Sequence, residues 1–274
     1  MASAAVNGTV LHYEALGDGA SCVVVPGWPG VDHTYLRPGL ERLAGRLRLV
    51  FYDQRGHGRS ARPAPEPLSL EQLADDAGAL AAHLGAERTL ALGHFHGASV
   101  ALELALRHPS RVAGLVLVAA TPGQLGSSES LADTLDATPT PPDVQVLQRV
   151  PPASDAELEA TMHALAPFFF HDAGQGDPRQ LFAGAGFDAR TAVQLMQPLH
   201  WWSAVERLGD VQVPVLVLAG RHDVFCPPSE AQRIRRKVPH ADLVVLEHSG
   251  HLPWVEEPDA FDAAVHDWLA GLPG

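Results

Sequence analysis

Gly93-His94-Phe95-His96-Gly97 has the spacing of a reactive turn and an inert residue at its tip. An apolar run, Thr89-Leu90-Ala91-Leu92, precedes it, and an alanine- and leucine-rich helical pattern, Ala98 to Arg107, follows. Strand, Gly-x-Ser-x-Gly, helix is the pattern of a nucleophile elbow. Its glycines allow a sharp turn with neighbouring backbone close by. Phe95 stands where the serine belongs. A phenyl ring has no lone pair and no ionisable proton, so a covalent acyl intermediate is closed at this position. The elbow tip holds a sparsely allowed backbone conformation that costs roughly 1–3 kcal/mol. A bulky ring there must be enforced by its surroundings and must project into the space a reacting carbonyl would use.

Two later loops carry the rest of the chemistry. Gly220-Arg221-His222-Asp223 follows the apolar run that ends at Ala219, and His248-Ser249-Gly250-His251 follows the one that ends at Glu247. In this order, tip then acid then histidine, Asp223 would orient the His251 ring and stabilise its cation while His251 moves protons. The bland readings are a loop cap for Asp223 and a satisfied loop histidine for His251. His248 is the rival base. His94 and His96 flank the tip, the first packing under the turn and the second pointing toward the helix start. Two backbone N–H groups, those of Trp28 and His96, are placed to stabilise an oxyanion, and they survive whatever side chain occupies position 95. The pocket is expected to be walled by Trp28, Phe95, Phe169, Trp201 and Trp202, drawn from Pro26-Gly27-Trp28-Pro29-Gly30, Phe168-Phe169-Phe170-His171 and His200-Trp201-Trp202. Such aromatic clusters are either core or the lining of a broad apolar pocket. The 15 histidines are scattered without ligand spacing, so no metal and no cofactor is expected.

These loops need a scaffold. Asn7-Gly8 reads as a hairpin turn. Cys22 to Val25, Leu47 to Tyr52, Arg111 to Ala120, Pro214 to Ala219 and Ala241 to Glu247 read as buried strands. Helical patterns cover Tyr35 to Ala44, Ser69 to about Leu84, a stretch from Ser229, and Pro258 to Ala270. Ser69 with Gln72, and Ser229 with Gln232, have capping-box spacing. Strands buried on both faces and alternating with helices indicate a parallel sheet covered on either side. The alternation lapses from residue 121 to 207, a proline-punctuated stretch (Pro139, Pro141, Pro142, Pro151, Pro152) with helical patches. Residues 1–120 and 208–274 are thus the two parts of the core, and 121–207 a helical lid over the sheet's carboxyl edge, where ligands bind in open α/β sheets.

A chain of 274 residues with 46% hydrophobic residues has ample material for such a core. Its net charge of -13 argues against nucleic acid and anionic membrane surfaces. The longest apolar run, Val112 to Ala120, falls far short of the roughly 20 residues of a membrane span. No basic, apolar leader opens the chain, and Cys22 and Cys226 read as buried free thiols. The composition is that of a cytoplasmic enzyme whose partner is a small molecule, apolar or aromatic; it says nothing of oligomeric state.

Together Phe51-Tyr52-Asp53-Gln54-Arg55-Gly56-His57-Gly58-Arg59-Ser60, the elbow region through Pro122, Pro214 to Pro228, and Ser249 to Pro258 resemble the α/β-hydrolase superfamily, particularly its proline iminopeptidase-like branch. The resemblance implies an α/β fold with a mostly parallel eight-stranded sheet, helices on both faces and a helical lid insertion. The chain departs from that branch at Phe95 and at its oxyanion loop, Pro26-Gly27-Trp28-Pro29-Gly30. Pro26-Gly27-Trp28 with Asp32-His33 also resembles the cofactor-free dioxygenases of this fold, whose acid follows the sixth strand, where this chain has Ala119-Ala120-Thr121. Three functions fit these residues. One is an enzyme without an acyl-enzyme, using His251 and Asp223 as base for lyase, cyclase or C–C chemistry or water-mediated hydrolysis. The second is a serine hydrolase, esterase or iminopeptidase-like, whose nucleophile Phe95 has replaced. The third is a small-molecule binder.

Overall fold

A computed structural model describes residues 2–62, 68–123, 151–172 and 178–272. Its strands are β1 (Ala2–Val6), β2 (Thr9–Leu16), β3 (Ala20–Val25), β4 (Leu47–Tyr52), β5 (Thr89–His94), β6 (Val112–Val118), β7 (Val215–Gly220) and β8 (Asp242–Leu246). They form an eight-stranded sheet in the order β1-β2-β4-β3-β5-β6-β7-β8. β1, β2 and β4 pair antiparallel and the other neighbours parallel. The longer helices are α1 (Leu70–His83), α2 (His96–Arg107), α3 (Asp155–Leu165), α4 (Ala189–Trp201), α5 (Pro228–Lys237) and α6 (Pro258–Ala270).

The period of two along each strand divides the core in two. Val23, Val25, Ala91, Leu115, Leu117, Val215 and Val217 face one cluster, which contains side chains of α1, α2 and α5. Cys22, Val24, Leu90, Leu92, Val116, Val118, Leu216 and Leu218 face the other, with α6, the segment 33–45, and residues of α3. Strands with apolar residues on both sides read as continuous hydrophobic runs, which is why their positions are legible in the sequence. The Asn7-Gly8 turn forms with φ of 48° and 72°, and Ser69 Oγ accepts from Gln72 N at 3.2 Å to start α1.

Two expected elements differ. The stretch Tyr35 to Ala44 is a chain of short turns, because Pro38 (ψ 121°) and Gly39 (φ 91°) leave helical geometry. Trp254 takes the space beside Gly39 that a side chain would need. The second capping box does not form: Pro228 takes the first turn of α5, and its cap is Pro227, which has no side-chain acceptor. Between β6 and β7 the described residues hold α3, α4 and short turns. The expected prolines Pro139, Pro141 and Pro142 lie outside the described residues. No helix among the described residues is long and apolar enough to cross a membrane.

Candidate active site

The elbow is built by β5 and α2 meeting at Phe95, whose backbone sits at φ 53°, ψ -121°. A Cβ on Gly97 would strike the Val25 carbonyl, and one on Gly27 the His94 carbonyl, so both positions must be glycine for the turn to close. Phe95 N donates to Val118 O at 3.0 Å, which pins the tip to the end of β6. The ring is held from outside. Its centroid lies 4.5 Å from that of Trp28 and 6.5 Å from that of Phe225.

Asp223 and His251 come together as expected. His251 Nδ1 donates to Asp223 Oδ2 at 2.8 Å, and both side chains are wholly buried. Asp223 Oδ1 accepts from Phe225 N at 2.8 Å and Cys226 N at 2.9 Å, so the carboxylate is fixed at both oxygens. With Nδ1 donating, His251 Nε2 carries the lone pair, and this buried atom has no partner. His248 is on the surface, its amide bound to Glu257, and is no rival.

The two flanking histidines have distinct duties. Gly27 N donates to Tyr35 Oη at 2.7 Å, and Tyr35 Oη donates to His94 Nδ1 at 2.9 Å. His94 Nε2 then donates to His251 O at 3.3 Å. Burial, and next the charge of His251, hold His94 far below the ordinary imidazole range. It is a neutral tie between three loops. His96 Nδ1 donates to Gly27 O, leaving a buried and unpartnered Nε2. Burial holds this imidazole at about 4, so it too is neutral. Among the described residues, neither the Trp28 nor the His96 amide donates a hydrogen bond. The His96 amide is free because the first residue of a helix has no intrahelical acceptor.

Of the five expected wall residues, Trp28, Phe95 and Phe169 gather around His251. Ring centroids lie 5.4 Å (Trp28), 4.9 Å (Phe95) and 5.9 Å (Phe169) from its imidazole. The other two do not. Trp201 is 73% exposed. Trp202 packs in the opposite core and donates from Nε1 to Glu103 Oε2 at 3.1 Å, because α4 ends there and turns the chain back toward α2. Phe225, which sequence reasoning missed, takes their place at 5.3 Å from His251. Its only signal was its position two residues beyond the acid. The walls are also not broad: Trp28 touches Phe169 at 4.7 Å between centroids, so the rings pack on one another.

Among the described residues, Asp223, Cys226 and His251 form a cluster of three side chains whose metal-ligand atoms lie within 4.8 Å of one another. The carboxylate already accepts three hydrogen bonds. Burial, then the charges of Asp223 and Glu230, push the Cys226 thiol well above its usual range. The set is a His–Asp pair with a protonated thiol beside it. Burial likewise pushes Cys22 up to about 12, so neither thiol is a nucleophile at neutral pH.

A fold of this order with an elbow after β5, an acid after β7 and a histidine after β8 has close counterparts. The family model for the alpha/beta hydrolase fold matches residues 23–258. The chain belongs to that family. It is 30% identical to a protein named as a carbamate hydrolase, RutD of Caulobacter sp. strain K31, over 99% of both chains. It is 24% identical to the proline iminopeptidase PfmaB of Pestalotiopsis fici, over 93% of this chain and 94% of that one. The enol-lactonase of Burkholderia xenovorans LB400 superposes with a TM-score of 0.78 at 25% identity, covering 98% of this chain and 100% of the other. This α/β hydrolase thus shares its whole length with hydrolytic enzymes.

Proposed function

We propose that this α/β hydrolase cleaves a small apolar acyl compound with water as nucleophile, without an acyl-enzyme. The observation that carries the reading is the bare Nε2 of a buried His251 backed by Asp223, facing a phenyl ring where a nucleophile would stand. In this reading Nε2 takes a proton from water as the water attacks the carbonyl, and returns it to the leaving oxygen or nitrogen as the bond from that atom to the acyl carbon breaks. Asp223 stabilises the imidazolium, and the Trp28 and His96 amides hold the developing oxyanion. Trp28, Phe95, Phe169 and Phe225 exclude bulk water and favour an apolar acyl group, while the helices between β6 and β7 serve as a lid. The relatives named as a carbamate hydrolase and an enol-lactonase make carbamates and lactones, with simple esters, the first substrates to test.

The test is hydrolysis of an aryl acetate, an aryl carbamate and an aromatic lactone by the wild type and His251→Ala, with intact mass recorded during turnover. His251-dependent hydrolysis with no mass increment and no burst is the expected result. An acyl adduct, or the same rate in His251→Ala, removes the mechanism. One observation favours a second reading, a serine hydrolase whose nucleophile has been replaced. Phe95 keeps a φ of 53° and ψ of -121°, a conformation that suits a nucleophile elbow and carries a strain a phenyl ring does not explain.

A further inference from the structure

His251 is fully buried, and its free nitrogen is ringed by aromatic side chains. A reactant reaches that nitrogen when a wall moves. Three of the walls sit on loops that end sheet strands. The fourth, Phe169, sits on a short strap, residues 169–172, that runs beside the His251 turn. His251 N donates to Phe169 O at 2.8 Å. A Cβ on Gly250 would lie 2.8 Å from that same oxygen and 2.9 Å from His171 N, so strap and turn touch backbone to backbone. Between them lies the carboxyl of Glu256, only 7% exposed. Its Oε1 accepts from His171 N at 2.6 Å and Asp172 N at 3.2 Å, and its Oε2 from Gly250 N at 2.6 Å.

We infer that Glu256 is a positioning residue that binds the Phe169 wall to the His251 turn, so that the wall and the base are released together. The inference rests on the reading of His251 as base only for its consequence in catalysis; the mechanical coupling stands on the three hydrogen bonds. Glu256 bonds backbone amides of both segments through its two oxygens. Glu257, its neighbour, serves the turn alone, accepting from His248 N and Ser249 Oγ.

The coupling has a proton signature. Burial pushes the Glu256 carboxyl up to about 7, against the pull of the Gly250, Asp172 and His171 amides, with the Glu257 charge adding to the rise. A lifted strap would return the carboxyl to water and to its ordinary value near 4.5. The closed form therefore holds the proton more tightly than the open one. Opening increases as pH climbs from about 5 to about 7 and levels off above that. The other groups facing the strap act from the acid side. His171 stacks on His222 with centroids 3.6 Å apart, and burial and then His171 lower the His222 imidazole. Because the His222 imidazole is lowered, its charging falls to the acid side of the Glu256 step. Arg221, Glu247 and His248 stand around His222, with Arg221 and Glu247 paired at 2.6 Å, and Asp172 lies on the strap itself.

Hydrogen exchange of the full chain, read by mass spectrometry at pH 5.5, 6.5, 7.5 and 8.5 and corrected for intrinsic rates, tests this without any substrate. Peptides spanning 169–172 and 248–251 should lose protection together, on the order of tenfold between pH 5.5 and 7.5, and then plateau. In Glu256→Gln, which cannot ionise, the pH step should vanish and both peptides should keep at pH 8.5 about the protection that the wild type has at pH 5.5. Glu257→Gln should leave the two peptides coupled and shift their common step to lower pH, because the Glu257 charge no longer raises the Glu256 carboxyl. If the two peptides exchange independently in the wild type, or if the pH step persists in Glu256→Gln, the inference falls. The wild-type arm decides the matter even if Glu256→Gln does not fold. With a turned-over ester in hand, Glu256→Gln should lower kcat more than it raises KM and flatten the pH profile near 7. A protein that shows the exchange pattern but no His251-dependent turnover refutes the base, not the strap.

Discussion

The imidazole of His251 stands edge-on to the ring of Phe95, with centroids 4.9 Å apart and planes at 78°. Where a serine would share a proton with Nε2, this chain sets an apolar ring, and Nε2 stays buried and unpaired. Leaving such an atom unsatisfied costs roughly 1–3 kcal/mol. His96 Nε2 bears the same cost, but of the two imidazoles only His251 has a carboxylate behind its ring to stabilise a bound proton, which is what the proposed base requires.

The unmodified chain should form no adduct with a fluorophosphonate probe, because neither the tip nor the two protonated thiols offers a nucleophile. Intact mass after overnight exposure checks this. Stoichiometric labelling would reveal a nucleophile elsewhere, with Ser99 on α2 the first position to examine.

Phe95→Ser should gain esterase activity on activated esters while losing stability. The elbow backbone and the His–Asp pair are in place for a serine oxygen, and the proposed oxyanion donors, the Trp28 and His96 amides, are backbone groups the substitution leaves. Removing a ring that is only 6% exposed should cost about 3 kcal/mol. Thermal melts and p-nitrophenyl acetate turnover read both effects. A folded variant with no gain over the wild type would show that the aromatic packing has remodelled the oxyanion site.

The elbow and Asp223 were legible because β5 and β7 before them are buried on both faces and read as unbroken apolar runs; His251 follows β8, whose apolar run Leu243 to Leu246 is legible although the strand is only partly buried. Trp201 and Trp202 were not. They end a helix between β6 and β7, where hydrophobic periodicity cannot say which face meets the sheet, and adjacent residues on one helix point about 100° apart. Trp202 lies on the α2 side, where its indole N–H meets a Glu103 carboxylate already paired with Arg207. Tyr35 and Glu256 escaped notice for another reason. Their roles rest on backbone amides of Gly27, Gly250, His171 and Asp172, and a hydrogen bond to a backbone group leaves no trace in residue type.

Glu103→Ala should destabilise the fold by about 2–4 kcal/mol, since it strands Trp202 Nε1 and the Arg207 guanidinium that bonds it at 2.9 and 2.8 Å. The downfield Nδ1 proton of His251 in the NMR spectrum should be unchanged, because the pair lies in the other core. Loss of that signal would mean that the two cores are coupled through α2.

Acid stability should depend on Asp53. Burial pushes its carboxyl up, but the hydrogen bond from His33 at 2.6 Å, its charge and two backbone amides outweigh this and hold it at about 2. A depressed folded value means stability that is fully present above about pH 4 and lost as pH falls toward 2. Asp53→Asn should lower Tm at pH 7 and flatten the curve of Tm against pH across that window. An equally steep acid limb in the variant would assign the loss to other carboxyls.

The role proposed for His251 is tested by separating turnover from binding. His251→Ala should lower turnover of any ester or carbamate accepted by the wild type by about 10²–10⁴-fold, the range of a single positioned acid–base group. Asp223→Ala should come close to that loss, because Nδ1 would no longer be held as the donor and the imidazolium would lack its counter-charge. Ligand affinity should stay within a few-fold in both, since the walls are Trp28, Phe95, Phe169 and Phe225 rather than the pair itself. Calorimetric affinity and product formation measured on the same variants give the two numbers. A binding protein would show a change in affinity alone and no rate to lose. If both variants turn over at the wild-type rate, the buried pair serves the fold, and water is activated somewhere else.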